Sequence, residues 1–304
     1  MGDGVAEGSG GARRCADGAV TLPSATLIAQ SVLSGVFVGS LYGLLGLGLT
    51  LSWGILRQIN LAYFALTFLA AYLCYQLATV NHVDPLVTLL IIAPCFFFIG
   101  VALQWVLARF RVSPFNSLLV TFGLTVIVES VIQSIWTADF RRLESSYGAT
   151  RLELGPLYIP APELITLALA AALSFALYAS LRYTDLGRAM RAAAEDGAIA
   201  SAFGVNRRFI ALVLSGICAA LSAVAGVCLA LTYTLAPAQI YTWIGVVFAA
   251  VMLGGVGRPL GPLVAGIVIG VSEALTMALT APSWAPLVSF SLLILLLVAR
   301  PDKT

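Results

Sequence analysis

Apolar residues in this chain come in long blocks separated by short polar breaks, with no alternation inside the blocks. The blocks fall at about residues 27–51, 59–80, 86–108, 116–137, 162–181, 209–232, 242–257, 261–280 and 284–299. A bilayer core requires a helix of about 20 mostly apolar residues, and most of these blocks meet that length. Strands of a closed barrel would alternate with period two, and that pattern is missing. The pattern predicts an all-α, polytopic transmembrane helical bundle. The seventh block is short and runs into Gly254, Gly255 and Gly257, a tight turn. It is either a crossing helix or a broken, re-entrant segment, so the count of membrane segments is eight or nine. Pro85, Pro114, Pro160, Pro162 and Pro301 stand at block boundaries, where helices most readily start or stop.

Composition explains why a soluble fold is excluded. The 304 residues are 60% hydrophobic and 10% charged, against roughly 25% charged in soluble domains. Lipid removes the difficulty, because a helix satisfies its own backbone polar groups there. The first 26 residues are different: rich in Gly and Ala, with Arg13 and Arg14 and no apolar run before Leu27. They predict a flexible tail, not a cleaved signal peptide. Residues 27–304 then form one transmembrane domain.

Candidate chemistry is sparse. A net charge of +2 gives nucleic acid no electrostatic footing. Cys15, Cys74, Cys95, Cys218 and Cys228 have no metal-ligand spacing, and His82 is the single histidine. No phosphate-binding loop, His-Glu-x-x-His, Cys-x-x-Cys or Gly-x-Ser-x-Gly pattern occurs, so neither a catalytic set, a metal site nor a cofactor is expected.

Charge does set an orientation. Arg57, Arg109, Arg111, Arg182, Arg188, Arg191, Arg207, Arg208, Arg258, Arg300 and Lys303 fall in alternate loops and at the C-terminus. Only Arg13, Arg14, Arg141, Arg142 and Arg151 fall on the other side. The positive-inside bias makes the first set cytoplasmic. With nine crossings the N-terminus is outside and the C-terminus inside. Gly35, Gly39 and Gly43 recur every four residues, as do Gly266 and Gly270, a spacing that lets helix backbones approach closely.

The inside loop 182–208 is too long for a turn between two spans. Its alanines favour helix, and Asp185 is placed to cap a helix running from about Arg188, with Gly197 and Gly204 as breaks. Met190, Ala194, Ile199 and Phe203 give it short apolar stretches beside Arg188, Arg191, Glu195 and Asp196. A helix of this kind either docks into a groove on a partner or lies among lipid headgroups.

The stretch Leu-Gly-Arg-Ala-Met-Arg-Ala-Ala-Ala-Glu-Asp at 186–196, followed by Gly-Val-Asn-Arg-Arg at 204–208, resembles the cytoplasmic loop of branched-chain amino-acid ABC permeases, H-type. Gly-Leu-Thr-Leu-Ser-Trp-Gly-Ile-Leu-Arg-Gln-Ile-Asn-Leu-Ala at 48–62 resembles that family's first helix junction. Leu-Gly-Gly-Val-Gly-Arg-Pro-Leu-Gly at 253–261 resembles its glycine-rich late turn, and Arg300-Pro301 its C-terminal Arg-Pro. The resemblance implies a multi-pass permease of the cell inner membrane, whose loop 182–208 couples to ATPase subunits. Arg188, Arg191, Glu195, Asp196, Gly204 and Arg207 are the candidate coupling residues. It implies ATP on those partners only, a second related permease subunit or second copy, and an external substrate-binding protein. Where the family commonly shows Asn-Phe-Ala-His-Gly, this chain has Asn60-Leu-Ala-Tyr63-Phe64. The cargo is therefore open between branched-chain amino acids, related amino acids, and urea or short amides.

Asn60, Glu129, Gln133 and Glu273 are the candidate translocation-path residues, with Gln104 a further polar residue inside a span. A bare carboxylate at the bilayer centre costs at least about 2.5–3.5 kcal/mol and faces the bundle interior or water. Glu129 and Glu273 either line a path, contacting a substrate ammonium group, or are hydrogen-bonded structural carboxyls. Asn60 either caps a helix or touches substrate. An ion-coupled secondary transporter, with its site at a broken helix, is the alternative mechanism.

Overall fold

The computed structural model describes residues 25–110, 114–144, 147, 151–154, 157–279 and 284–299. Arg13, Arg14, Cys15, Arg111, Arg300, Pro301 and Lys303 lie outside the described residues, as does most of the N-terminal tail. The helices are α1 (Ala25–Leu56), α2 (Ala62–Val80), α3 (Pro85–Arg109), α4 (Pro114–Trp136), α5 (Ala161–Tyr183), α6 (Asp185–Glu195), α7 (Gly197–Ala202), α8 (Arg207–Thr232), α9 (Ile240–Gly254), α10 (Gly261–Leu279) and α11 (Ala285–Ala299).

Among the described residues eight helices are long and apolar enough to cross a membrane. They are α1 to α5, α8, α9 with the 3-10 turn Pro237–Gln239 before it, and α10. The seventh segment begins at Pro237, upstream of the expected 242, and reaches 18 residues. The ninth block holds the 15-residue α11, about 22 Å long at 1.5 Å per residue. Positive φ at Gly255 (88°) and Gly257 (82°) makes the α9–α10 connection the tight turn expected there.

Burial separates centre from periphery. In α1 and α8, 72% of the most apolar stretch is buried, against 22%, 17% and 22% in α3, α4 and α5. The last three show their apolar sides outward, as lipid-facing helices do. The two glycine stripes meet each other. A Cβ on Gly35 would lie 2.5 Å from Val271 Cα, one on Gly39 2.4 Å from Gly266 O, and one on Gly43 2.6 Å from Leu263 Cα. α1 and α10 thus run antiparallel along a seam of bare backbone. Gly226 brings α8 equally close to α2 at Thr67 O, and Gly100 brings α3 close to α8 at Ser215 O.

One element was absent from the sequence reading. β1 (Arg151–Leu154) and β2 (Leu157–Pro160) form an antiparallel hairpin before α5, with Leu152 opposite Ile159. It is tied to the start of α1, where Gln30 Nε2 donates to Tyr158 O (2.9 Å) and Tyr158 N donates to Gln30 Oε1 (3.0 Å). Arg141 and Leu235 exchange main-chain hydrogen bonds at the same end of the bundle.

Candidate functional site

The loop after α5 folds as two short helices outside the spans. Thr184, not Asp185, is the N-cap of α6: its hydroxyl accepts from Gly187 N at 3.0 Å. Asp185 sits one position inside the helix and pairs with Arg188 at 2.6 Å, an exposed bond of small energetic weight. Gly187 and Met190 are the buried side of α6. A Cβ on Gly187 would strike Ser180 O at 2.3 Å, so only glycine lets α6 fold back this tightly on the end of α5.

The break between α6 and α7 falls at Asp196, one residue before the expected Gly197. Asp196 Oδ1 accepts from Ala198 N (2.8 Å) and Ile199 N (3.0 Å). Those two N–H groups hold its carboxyl below the ordinary value near 3.8, aided by Arg207 and Arg57. Gly204 (φ 88°) ends the unit as expected, and Asn206 then caps α8 through Arg208 N and Phe209 N. Arg57, beyond the end of α1, donates from Nη2 to Ala194 O at 3.1 Å. Arg207 lies over Gly197, where a Cβ would meet its Cζ at 2.6 Å. Ala200 is the buried side of α7, whereas Ile199 and the C-cap residue Phe203 are 58% and 84% exposed.

Three stretches singled out in the sequence converge at this end of the bundle. A groove of about 980 Å³ is lined by Arg191 and Glu195 of α6, Gly54 and Ile55 of α1, and Arg258 with neighbouring residues of the glycine-rich turn. Arg207 lines a separate cavity of about 620 Å³ with the ends of α1 and α3. Among the candidate coupling residues, Arg191 and Glu195 share the larger groove, Arg207 lines the smaller cavity, and Asp196 lies near Arg207. All six lie within or beside the α6–α7 unit.

The four candidate path residues do not form one site. Glu273 of α10 is buried, and Tyr42 of α1 donates its hydroxyl to Glu273 Oε2 at 2.8 Å. Trp243 packs edge-on against both Tyr42 and Tyr233, with centroids 5.8 and 5.2 Å apart. Glu129 of α4 is half-buried: it accepts from Tyr241 Oη of α9 at 2.7 Å and from Gln133 Nε2 at 3.2 Å. The one-face placement of Glu129 and Gln133 therefore holds. Asn60 lies at the opposite end, beside Arg57. It is not a helix cap, because Leu61 is the N-cap of α2 and no side chain caps that helix. Its Oδ1 is buried without a hydrogen-bond partner. The tyrosine partners escaped the sequence reading, being 231 and 112 residues from their carboxylates. Among the described residues no group of three or more His, Cys, Asp and Glu could hold a metal ion.

Comparison with known proteins agrees with this architecture. The chain is 28% identical to the high-affinity branched-chain amino acid transport system permease protein LivH of Salmonella typhimurium, covering 90% of this chain and 93% of that one. The same figures hold for LivH of Escherichia coli K12. The corresponding permease BraD of Pseudomonas aeruginosa is 26% identical, over 90% and 94%. No solved structure matches. A family model for the permease component of branched-chain amino acid transport systems matches residues 31–297. With nearly the whole membrane bundle inside that match, the chain is a multi-pass membrane protein belonging to the branched-chain amino acid transport permease family.

Proposed function

We propose that the chain is the membrane-spanning subunit of an ABC importer for branched-chain or related amino acids, delivered by an external binding protein and driven by partner ATPases. The observation that carries the coupling reading is α7. Ile199 and the C-cap residue Phe203 stand exposed on and just after a short helix outside the spans, at the arginine-rich end of the bundle. Exposed apolar side chains rimmed by charge mark a docking surface. α6 and α7 present it, Arg57 and Met190 hold it, and Gly204 ends it. Arg188, Arg191, Glu195, Asp196 and Arg207 supply its polar rim. With this arginine-rich end taken as cytoplasmic and α11 crossing as a ninth span, the N-terminus is outside and the C-terminus inside.

A second permease subunit covers α4. That helix is the least buried of the eight spans, yet it carries Glu129 and Gln133 about 10 and 5 Å from its end. Carboxylates at membrane depth face protein or water, so this face meets the partner subunit and borders the path. Glu273 and Tyr42 join α1 to α10 and serve as a structural bridge. Asn60 stands at the inner end of the path.

The test is co-expression with ATPase subunits, purification through a tag on this chain, and reconstitution into liposomes. The expected result is a stable complex and uptake that requires ATP. Uptake by this chain alone, driven by a proton or sodium gradient, would overturn the reading in favour of secondary transport.

A further inference from the structure

The smaller cavity, of about 620 Å³, shares Arg207 with the docking surface described above, but its other polar lining stands apart from that surface. It lies where α1 ends, α3 ends and α8 begins. Its polar lining is Gln58, Gln104, Arg109, Arg207 and Arg208, and among the described residues no acidic side chain lines it. The remaining wall is apolar, with Trp105 at the rim. Trp105 is 60% exposed on α3, one of the outward-facing helices. Tryptophan at such a level is characteristic of the membrane–water boundary. The cavity is therefore set at the lipid interface, with three arginines in its lining and apolar wall beside them.

Among the described residues no carboxylate forms a direct ion pair with any of the three arginines. The one ion pair among the described residues is Arg188–Asp185. Arg207 is near Asp196, but Asp196 is already turned to the α7 amides. Gln104 is the second observation. The residue is 6% exposed, lines the cavity, and its side-chain amide makes no hydrogen bond to any described residue. Its amide is therefore free to bond a group that enters the cavity.

From this arrangement we infer that the cavity binds the phosphate headgroup of an anionic phospholipid, with the acyl chains lying along the apolar wall past Trp105. Guanidinium forks match phosphate oxygens bidentately. Basic pockets between transmembrane helices hold acidic headgroups in this way. The Gln104 amide donates to a headgroup oxygen. A bound lipid sits against the first turn of α8 and against Ala193 of α6. It therefore braces the base of the α6–α7 unit, whichever partner that unit meets.

The test uses the full chain in detergent, with native mass spectrometry of added phosphatidylglycerol and of phosphatidylcholine with the same acyl chains. The expected result is preferential retention of phosphatidylglycerol, weakened about tenfold when Arg109→Gln and Arg208→Gln are combined. Gln104→Leu, which keeps every charge, lowers retention in the same direction. Arg258→Gln, at the same end of the bundle but outside this cavity, leaves it unchanged. Each variant is first shown to be monodisperse with an unaltered melting temperature. The inference fails if the two lipids bind equally, if Arg258→Gln acts as strongly as the double variant, or if millimolar inorganic phosphate displaces the lipid.

Discussion

Gly39 of α1 and Gly266 of α10 face each other across a seam so close that a Cβ on Gly39 would lie 2.4 Å from Gly266 O, and one on Gly266 2.5 Å from Gly39 O. No side chain fits between them. Overpacking of this kind costs about 1–3 kcal/mol and more where backbone must move. Gly39→Ala and Gly266→Ala should each lower the melting temperature of the detergent-purified protein. Gly123→Ala is the matched control, since nothing lies within 4 Å of its added methyl. It should be neutral or slightly stabilising, by about 0.5–1 kcal/mol.

Tyr42→Phe removes the hydroxyl that donates to the buried Glu273 carboxyl. Leaving a buried acceptor short of a donor costs about 1–3 kcal/mol. A double-mutant cycle with Glu273→Gln should show strong coupling between the positions in thermal unfolding. Purely additive effects would show that the bond carries no stability.

Asp196 gives a pH dependence with a definite sign. Its carboxyl is held below the ordinary value by the N–H groups of Ile199 and Ala198. The folded pKa is depressed, so the cap contributes stability above the unfolded pKa and loses it as pH falls through the folded one. Hydrogen exchange at Ala198 and Ile199, corrected for its intrinsic pH dependence, should show protection fading only below about pH 3.8. Asp196→Asn should abolish this pH dependence while keeping a cap, because asparagine caps nearly as well.

Ile199→Ser combined with Phe203→Ser tests the docking surface. Both side chains are exposed, so the melting temperature of the isolated chain should not move. Association with the ATPase subunits should fall by about tenfold or more, as when interface anchors are truncated. Unchanged association would place the contact elsewhere on the arginine-rich end.

The spans were legible because lipid asks for little beyond length and apolarity, and the blocks at 86–108 and 209–232 match α3 and α8 within two residues. The Gly254–Gly257 turn was legible for a different reason: few residues other than glycine take positive φ comfortably. Pairings across long separations were not. Nothing in the spacing of Gly35, Gly39 and Gly43 says that Gly266 and Gly270 are their partners, and nothing ties Tyr241 to Glu129. The cap of α6 was missed by one residue, because threonine and aspartate at 184 and 185 are both competent caps and the choice depends on how α5 ends. The hairpin at 151–160 was missed because two four-residue strands carry too little alternation to stand out.

The bond from Arg57 to α6 ends on the main-chain oxygen of Ala194, not on a side chain. Every residue type offers that oxygen. The exposed face of α6 is thus free to change in sequence, to suit whatever partner the proposed docking surface takes, without loosening its fastening to α1. Attachment and recognition are written into different atoms of the same helix, so evolution can revise the second and leave the first untouched.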